Sequence, residues 1–208
     1  MSEKRAKMFN KKASKPKNKA DQILEKLALK PGQFIADIGS GGGYFTYKFA
    51  KSVGEKGGVY AIDTDQEFLT FIKKQATEQK LTNIVTLLTA SEHPDLPKHM
   101  FDYIFFRNVT HHLPNRINYF KSLNRALKPD GKIVIIEYDG RGGFFSFQRL
   151  YRHFIPKEKI IEEMKQAGYK LQKSYNFLSE QSFSIFSSQW KINRPDGFWN
   201  YVKNKKPF

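Results

Sequence analysis

The chain reads as an α/β protein, doubly wound, with a mostly parallel sheet and helices on both faces. Three observations predict this. The apolar run Phe34-Ile35-Ala36 enters the glycine-dense stretch Asp37-Ile38-Gly39-Ser40-Gly41-Gly42-Gly43-Tyr44, and a helical pattern follows. A second run, Gly58-Val59-Tyr60-Ala61-Ile62, ends in Asp63, 24 residues after Gly39. Strand-like and helix-like segments then alternate, as in a parallel sheet whose crossovers are helices.

The elements follow in order. Residues 1–19 are rich in Lys, Asn and Ser and are expected to stay mobile until something docks on them. Helical spacing appears at Ile23, Leu24, Leu27 and Leu29 and is closed by Pro31-Gly32. The first strand covers about 34–38, and a helix over about 43–53 sets Phe45, Phe49 and Val53 on one face. After the second strand, a helix over about 66–80 with Asp65 as its cap leads to the strand Ile84-Val85-Thr86-Leu87-Leu88. Pro94 and Pro97 punctuate a loop before the buried strand Phe101-Asp102-Tyr103-Ile104-Phe105-Phe106. A helix over about 115–127 stops at the turn Lys128-Pro129-Asp130-Gly131, and a fifth strand covers about 132–138.

Composition narrows the function classes. With 208 residues the chain suits one domain with a full core. It has no cysteine, which excludes disulfides, thiolate metal sites and a cysteine nucleophile. The N-terminus is basic but lacks the apolar core of a signal peptide, and the longest aliphatic run, Ile133-Val134-Ile135-Ile136, is too short for a transmembrane segment; a cytoplasmic location is expected. Of the net charge of +16, residues 1–19 carry +7 and residues 189–208 carry +4. Lysines outnumber arginines 28 to 8, whereas arginine forks would be the stronger sign of phosphate recognition. Two readings of the tails stay open: solvated, solubilising segments, or a hold on a polyanion that amounts to weak, non-specific nucleic-acid binding.

The glycine turn carries the most chemistry. Its spacing is Asp-x-Gly-x-Gly-x-Gly, and Tyr44 stands where a dinucleotide fingerprint wants its third glycine. Such a turn places bare backbone N–H groups near a ligand, although a tight strand-to-helix connection would also explain it. Asp63, at the tip of the second strand, can accept hydrogen bonds from both ribose hydroxyls or cap the next helix, and Asp65 is the better cap.

On these residues the chain resembles the class I S-adenosylmethionine-dependent methyltransferases. The resemblance covers about residues 20–187. Arg125-Ala126-Leu127-Lys128-Pro129-Asp130-Gly131-Lys132 is similar to the family's turn before the fifth strand, and Ile161 to Tyr169 is similar to its last helix and the turn after it. The resemblance implies a seven-stranded sheet ending in an antiparallel hairpin, about 169–178 and 182–187. It divides the chain into a basic tail (1–19), a methyltransferase domain (20–187) and a basic aromatic extension (188–208).

The same resemblance implies a site for S-adenosyl-L-methionine, released as S-adenosyl-L-homocysteine. Gly39, Ser40, Gly41 and Gly43 would face the methionine part, Asp37 would order the turn, and Asp63 with Thr64 would meet the ribose. Relatives grip the adenine through Asp-Ala after the third strand. This chain has Thr89-Ala90-Ser91-Glu92 there, so Glu92 or a backbone carbonyl would have to substitute. After the fourth strand, Arg107-Asn108-Val109-Thr110-His111-His112 resembles the segment that flanks the sulfonium in quinone-type enzymes, which places Asn108 at the cofactor.

Candidate catalytic residues are His111, His112 and Arg107. Either histidine could act as a base or position the acceptor, or merely cap the following helix. Side chains at i and i+1 point apart and no third donor has ligand spacing, so no metal site is expected. Arg107 at a buried strand end wants an anion: the donor's carboxylate, an acidic acceptor, or Asp139 or Glu137. The aromatic stretch Phe144 to Tyr151 reads as a lid or as an amphipathic helix. No (Asp/Asn)-Pro-Pro-(Tyr/Phe) motif follows the fourth strand, which argues against exocyclic amines and leaves an oxygen, an activated carbon or an undemanding nitrogen. The expected activity is methyl transfer to a small-molecule acceptor. The rivals are an RNA or protein methyltransferase that uses the basic tails, and a cofactor-binding module without turnover.

Overall fold

Alternation of apolar side chains along the central strands decides which helices cover which face. The computed structural model describes residues 2–90, 94–141 and 153–190. Among these, seven strands form one sheet: β1 (Phe34–Ile38), β2 (Gly58–Asp63), β3 (Ile84–Leu88), β4 (Phe101–Arg107), β5 (Leu127–Tyr138), β6 (Tyr169–Tyr175) and β7 (Gln181–Ser188). Their spatial order is β3-β2-β1-β4-β5-β7-β6. The first five are parallel, and β7 runs antiparallel between β5 and β6. This is the doubly wound, mostly parallel sheet with a terminal hairpin that the sequence predicts.

Six α-helices are described: α1 (Ser2–Ala13), α2 (Ala20–Leu27), α3 (Tyr44–Val53), α4 (Gln66–Glu78), α5 (Arg116–Ser122) and α6 (Lys157–Gln166). Ile35, Phe105, Val134 and Ile136 face α2 and α3, where they pack with Ile23, Leu27, Phe45 and Phe49. Their strand neighbours Ala36, Ile104, Phe106, Ile133 and Ile135 face the other way, onto Tyr119, Phe120, Ile160 and Met164 of α5 and α6. A strand buried on both faces needs apolar residues at successive positions, which is why β4 and β5 read as continuous apolar runs. The Arg116 guanidinium grips Glu163 with two hydrogen bonds of 2.7 Å and ties α5 to α6.

Several boundaries depart from expectation. The helix expected to reach residue 127 stops at Ser122 and tightens into the 3-10 turn Leu123–Arg125. β5 begins at Leu127 rather than near 132, because the Lys128–Gly131 turn is absorbed as an irregularity between two stretches that both pair with β4.

The larger correction concerns the N-terminus. The sequence reading makes residues 1–19 a mobile tail, yet Ser2–Ala13 is a helix docked on α4. Ala6 is fully buried against Phe68 and Phe71, Phe9 meets Phe68 edge-on at 5.5 Å, and the Arg5 guanidinium lies 5.0 Å from the Phe68 ring. The apolar stripe is only Ala6 and Phe9 wide, so its signal is lost among lysines.

The ring stack of Phe45, Phe49 and Phe105 bridges α3 and β4, with centroids 4.9–5.7 Å apart. Phe105→Ala is expected to cost about 3–5 kcal/mol through lost burial and the cavity left behind. Urea denaturation of the two proteins measures it.

Candidate active site

The site forms where β1, β2, β4 and β5 end together. Parallel strands in register deliver their C-terminal residues to one edge, and the crevice between β1 and β4 is where the crossover direction reverses. Asp37, Asp63, Arg107 and Glu137 stand at or beside those ends.

The glycine turn is held from beneath and from above. Gly39 and Ser40 donate their N–H groups to Ile62 O, Gly43 donates to Ser40 O, and Gly41 donates to Asp63 Oδ2 at 2.8 Å. The expectation of bare N–H groups is therefore corrected: those of residues 39, 40, 41 and 43 are already used, and a pyrophosphate would find none of them free. Gly39 has φ +71°, and a Cβ there would lie 2.5 Å from Val109 Cγ2, so only glycine lets β4's loop close onto the turn. Gly41 has φ +53° and faces the Phe9 ring. Asn10 Nδ2 donates to Gly42 O at 2.7 Å, which lays α1 directly over the turn. Ser40 Oγ is buried and makes no hydrogen bond, a polar atom left for a ligand.

Two carboxylates frame this turn. Asp37 is buried, accepts from Thr46 Oγ1 at 2.6 Å, and is pushed up to about 7 by that burial. Asp63 is raised by burial too, against hydrogen bonds from the N–H groups of Gly41 and Asp65. Each Asp63 oxygen keeps a second lone-pair direction for a hydroxyl. The capping role goes to Asp65, which accepts from Glu67 N at 2.9 Å. A turn with four of its N–H groups spent, between two carboxylates, suits an ammonium rather than a phosphate. Thr64 is exposed beside Asp63, and Thr89-Ala90 follows β3, with Thr89 N donating to Asp63 O. Ser91 and Glu92 lie outside the described residues, as does the aromatic stretch 144–151.

Across the crevice, Arg107 lies with its guanidinium carbon 4.9 Å from the Phe45 ring centre. Burial lowers it to about 10, so it remains charged at neutral pH. It pairs with neither expected carboxylate. Asp139 is taken by Arg141 at 2.7 Å, and Glu137 is turned toward Thr110 and His111. Arg107 keeps one long contact to Gln181 Oε1 at 3.5 Å, and its Nε is buried without a hydrogen bond. Asn108, at φ +54°, holds the strand end through its N–H to Ile136 O and accepts from Gln181 Nε2.

The histidines differ most from expectation. Thr110–His112 is a single 3-10 turn, and it brings the His111 and His112 rings to 4.0 Å instead of pointing them apart. His153 joins them at 5.1 and 5.5 Å, a third donor from 41 residues farther along that no spacing rule signals. Neither His111 nor His112 caps α5; Asn115 does, accepting from Asn118 N. Glu137 is wholly buried. It accepts from Thr110 Oγ1 at 2.6 Å and from the N–H groups of His111 and Tyr138, and lies 3.1 Å from His111 Nδ1. That last contact is off-line for a full hydrogen bond and acts chiefly through charge. His112 is lowered by burial first and then by its two imidazole neighbours.

Comparison with known proteins decides the family. A family model described as "Methyltransferase domain" matches residues 29–191. The chain belongs to this family. Its sequence is 32% identical over 152 residues to phosphoethanolamine N-methyltransferase 1 of Zea mays, covering 72% of this chain but only 27% of the maize protein. It is 31% identical over 193 residues to demethylmenaquinone methyltransferase of Lactobacillus johnsonii, covering 88% and 75%. A SAM-dependent methyltransferase from Aquifex aeolicus superposes with a TM-score of 0.75 at 23% identity, covering 86% of this chain and 96% of that one. The fold is that of the class I methyltransferases and the cofactor is S-adenosylmethionine. The orphaned Ser40 hydroxyl and the flanking carboxylates fit the ammonium of its amino acid part.

Phe9, Asn10, Gln181, Glu137 as the partner of His111, and His153 are site residues that sequence reasoning missed. Only Glu137 had a signal, an acid at the end of an otherwise apolar strand.

Two outcomes follow. Asp63→Ala is expected to weaken S-adenosylhomocysteine binding by about 2–4 kcal/mol, since hydrogen bonds to a charged acceptor and the brace on Gly41 are lost together; calorimetry on the folded variant reads it. Asp37 binds its proton more tightly folded than unfolded, so ligand-free stability should fall as pH rises from about 4 to about 7 and then level off. Asp37→Asn should flatten that slope in denaturation series between pH 4.5 and 8, and an unchanged slope would remove the assignment.

Proposed function

We propose that the chain methylates a small molecule bearing an acidic oxygen, a phenol or enol, on that oxygen or on the ring carbon it activates. The observation that carries this reading is Arg107: a buried, charged guanidinium at the end of β4 with an unused Nε and no carboxylate within ion-pair distance among the described residues, Asp37 acting on it only through longer-range charge. Such a cation is stable there when an anion completes it, and the oxyanion left when the acceptor's hydroxyl loses its proton is one; Arg107 would favour that deprotonation, and the charge is discharged as the methyl group arrives.

Asp37, Asp63, Ser40 and the glycine turn would hold S-adenosylmethionine, which once bound supplies a methyl group on a sulfonium. The chain's own part is alignment and proton handling. Phe45 and Asn108 flank Arg107 and limit where an acceptor can lie. Glu137 beside His111 Nδ1 would favour the proton on that nitrogen, because a carboxylate only accepts, and this would leave Nε2 as the basic nitrogen for the acceptor's hydroxyl. Thr110 and the His111 N–H hold Glu137 in turn, so the imidazole is oriented from the β5 side.

The named activities of the relatives, on phosphoethanolamine and on demethylmenaquinone, both concern small molecules. Part of the basic N-terminal segment is engaged by exposed contacts within the chain: Arg5 with Asp65 and Phe68, Lys7 with Glu3 and Lys17 with Glu180. This supports a small acceptor over an RNA or protein substrate held by the tails. A cytoplasmic location fits such a substrate, and among the described residues no helix is long and apolar enough to cross a membrane.

Incubation with methyl-labelled S-adenosylmethionine and fractionated cell extract tests this. Label is expected in the small-molecule fraction, insensitive to nuclease and protease, and His111→Ala should lower turnover about 10²- to 10⁴-fold with S-adenosylhomocysteine affinity kept. Label that enters a nuclease-sensitive polymer would overturn the reading. No label in any fraction would favour the binding-only module.

A further inference from the structure

We propose that His111, His112 and His153 form a three-histidine site for a divalent transition-metal ion, with Zn²⁺ the best match, whose open fourth position faces the acceptor. One ring nitrogen from each histidine lies within 4.8 Å of the others. Imidazoles bound tetrahedrally to one ion at about 2.0–2.1 Å stand roughly 5 Å apart, centre to centre. The ring separations from His153, 5.1 and 5.5 Å, match that figure; an ion would widen the 4.0 Å between His111 and His112 and hold the donor nitrogens about 3.3 Å apart.

Three further features make this a built site rather than a surface cluster. The donors are all nitrogen, in a chain with no cysteine, which selects zinc and its neighbours over magnesium or calcium. Glu137 lies 3.1 Å behind His111 Nδ1, off-line for a full hydrogen bond but within reach of the carboxylate-histidine bond that orients a ligating imidazole. Glu137 is itself fixed by Thr110 and by two backbone N–H groups, so the buried acid is a support and not a fourth ligand.

The cluster is also open. His112 is exposed, while His111 and His153 are half-buried, so an ion held by the three rings keeps a coordination position toward solvent. Three protein ligands with one free position is the pattern of an ion that binds an exchangeable oxygen, and an oxygen so bound gives up its proton to water near neutral pH. The site lies just after β4, beside Asn108 and Arg107, where a phenol or enol would present its hydroxyl. With the ion bound, the His111 nitrogen that would otherwise accept a proton binds metal instead. The metal site does not depend on which acceptor is used.

The test uses the full chain without an affinity tag, stripped with a chelator. Zn²⁺ affinity is measured by competition with a chromophoric chelator, and Co²⁺ is followed by its visible absorption. One ion per chain is expected, with a tetrahedral Co²⁺ spectrum. His112→Ala, at an exposed position with little bearing on folding, and His153→Ala should each weaken Zn²⁺ binding by about 100-fold or more, and Glu137→Gln by about 10- to 100-fold. His99→Ala, which removes a histidine outside the cluster, should leave it unchanged. Millimolar affinity in the parent protein, or equal affinity in the His153→Ala variant, would overturn the proposal. S-adenosylhomocysteine binding, measured alongside, reports on the cofactor cradle separately, so loss of the metal site would leave the methyl-transfer reading standing.

Discussion

The hydrogen bond from the Gly41 N–H to the Asp63 carboxylate joins the end of β2 to the turn leaving β1, and the cofactor side of the site is arranged around it. It takes one lone pair of Asp63 Oδ2, the Asp65 N–H takes one of Oδ1, and each oxygen keeps a second lone-pair direction. It also holds Gly41 in a left-handed conformation that leaves room for Phe9, so α1 can lie on the turn. A side chain at Gly39 would push against Val109 and separate the turn from the β4 loop. The donor side and the acceptor side therefore depend on the same few ångströms of bare backbone.

Charge divides along the same crevice. Asp37 and Asp63 stand on the β1–β2 side, where burial makes both reluctant to ionise and a cation would relieve them. Arg107 stands at the end of β4, where burial makes it a weaker cation and an anion would complete it. A molecule with an ammonium at one end and an electron-rich partner at the other satisfies both halves. Neither half is stable merely as packing, since a buried, under-paired charge costs folding free energy. That cost is what a bound ligand of matching charge would offset.

The histidine cluster depends on a different device. A 3-10 turn has three residues per revolution, and its tightness bunches neighbouring side chains that an extended chain would separate. Thr110 anchors that turn by donating its hydroxyl to Glu137, so the buried acid at the end of β5 both shapes the turn and orients the imidazole it presents. His153 then arrives from the segment that follows β5, just ahead of the backbone bond from Ile155 N to Tyr138 O.

The sequence by itself determined the architecture: strands that must be apolar on both faces, helices with one apolar stripe, and a glycine turn that tolerates no side chain where backbones touch. Those are local patterns, legible because each residue's neighbours along the chain predict its surroundings. It also marked Arg107, because a charge at the end of an apolar strand is expensive without an anion. It marked Asp63 as an acid at the tip of the second strand, while Asp37 was marked by the family resemblance of the glycine turn. Only the tertiary structure decided that the N–H groups of residues 39, 40, 41 and 43 are spent and that the lysine-rich N-terminus is a docked helix. It alone decided that Arg107 misses both acids within reach in sequence, and that a third histidine closes on the other two. Each of these depends on contacts between residues distant along the chain, set by how strand ends and loops meet in space, and no periodicity records them.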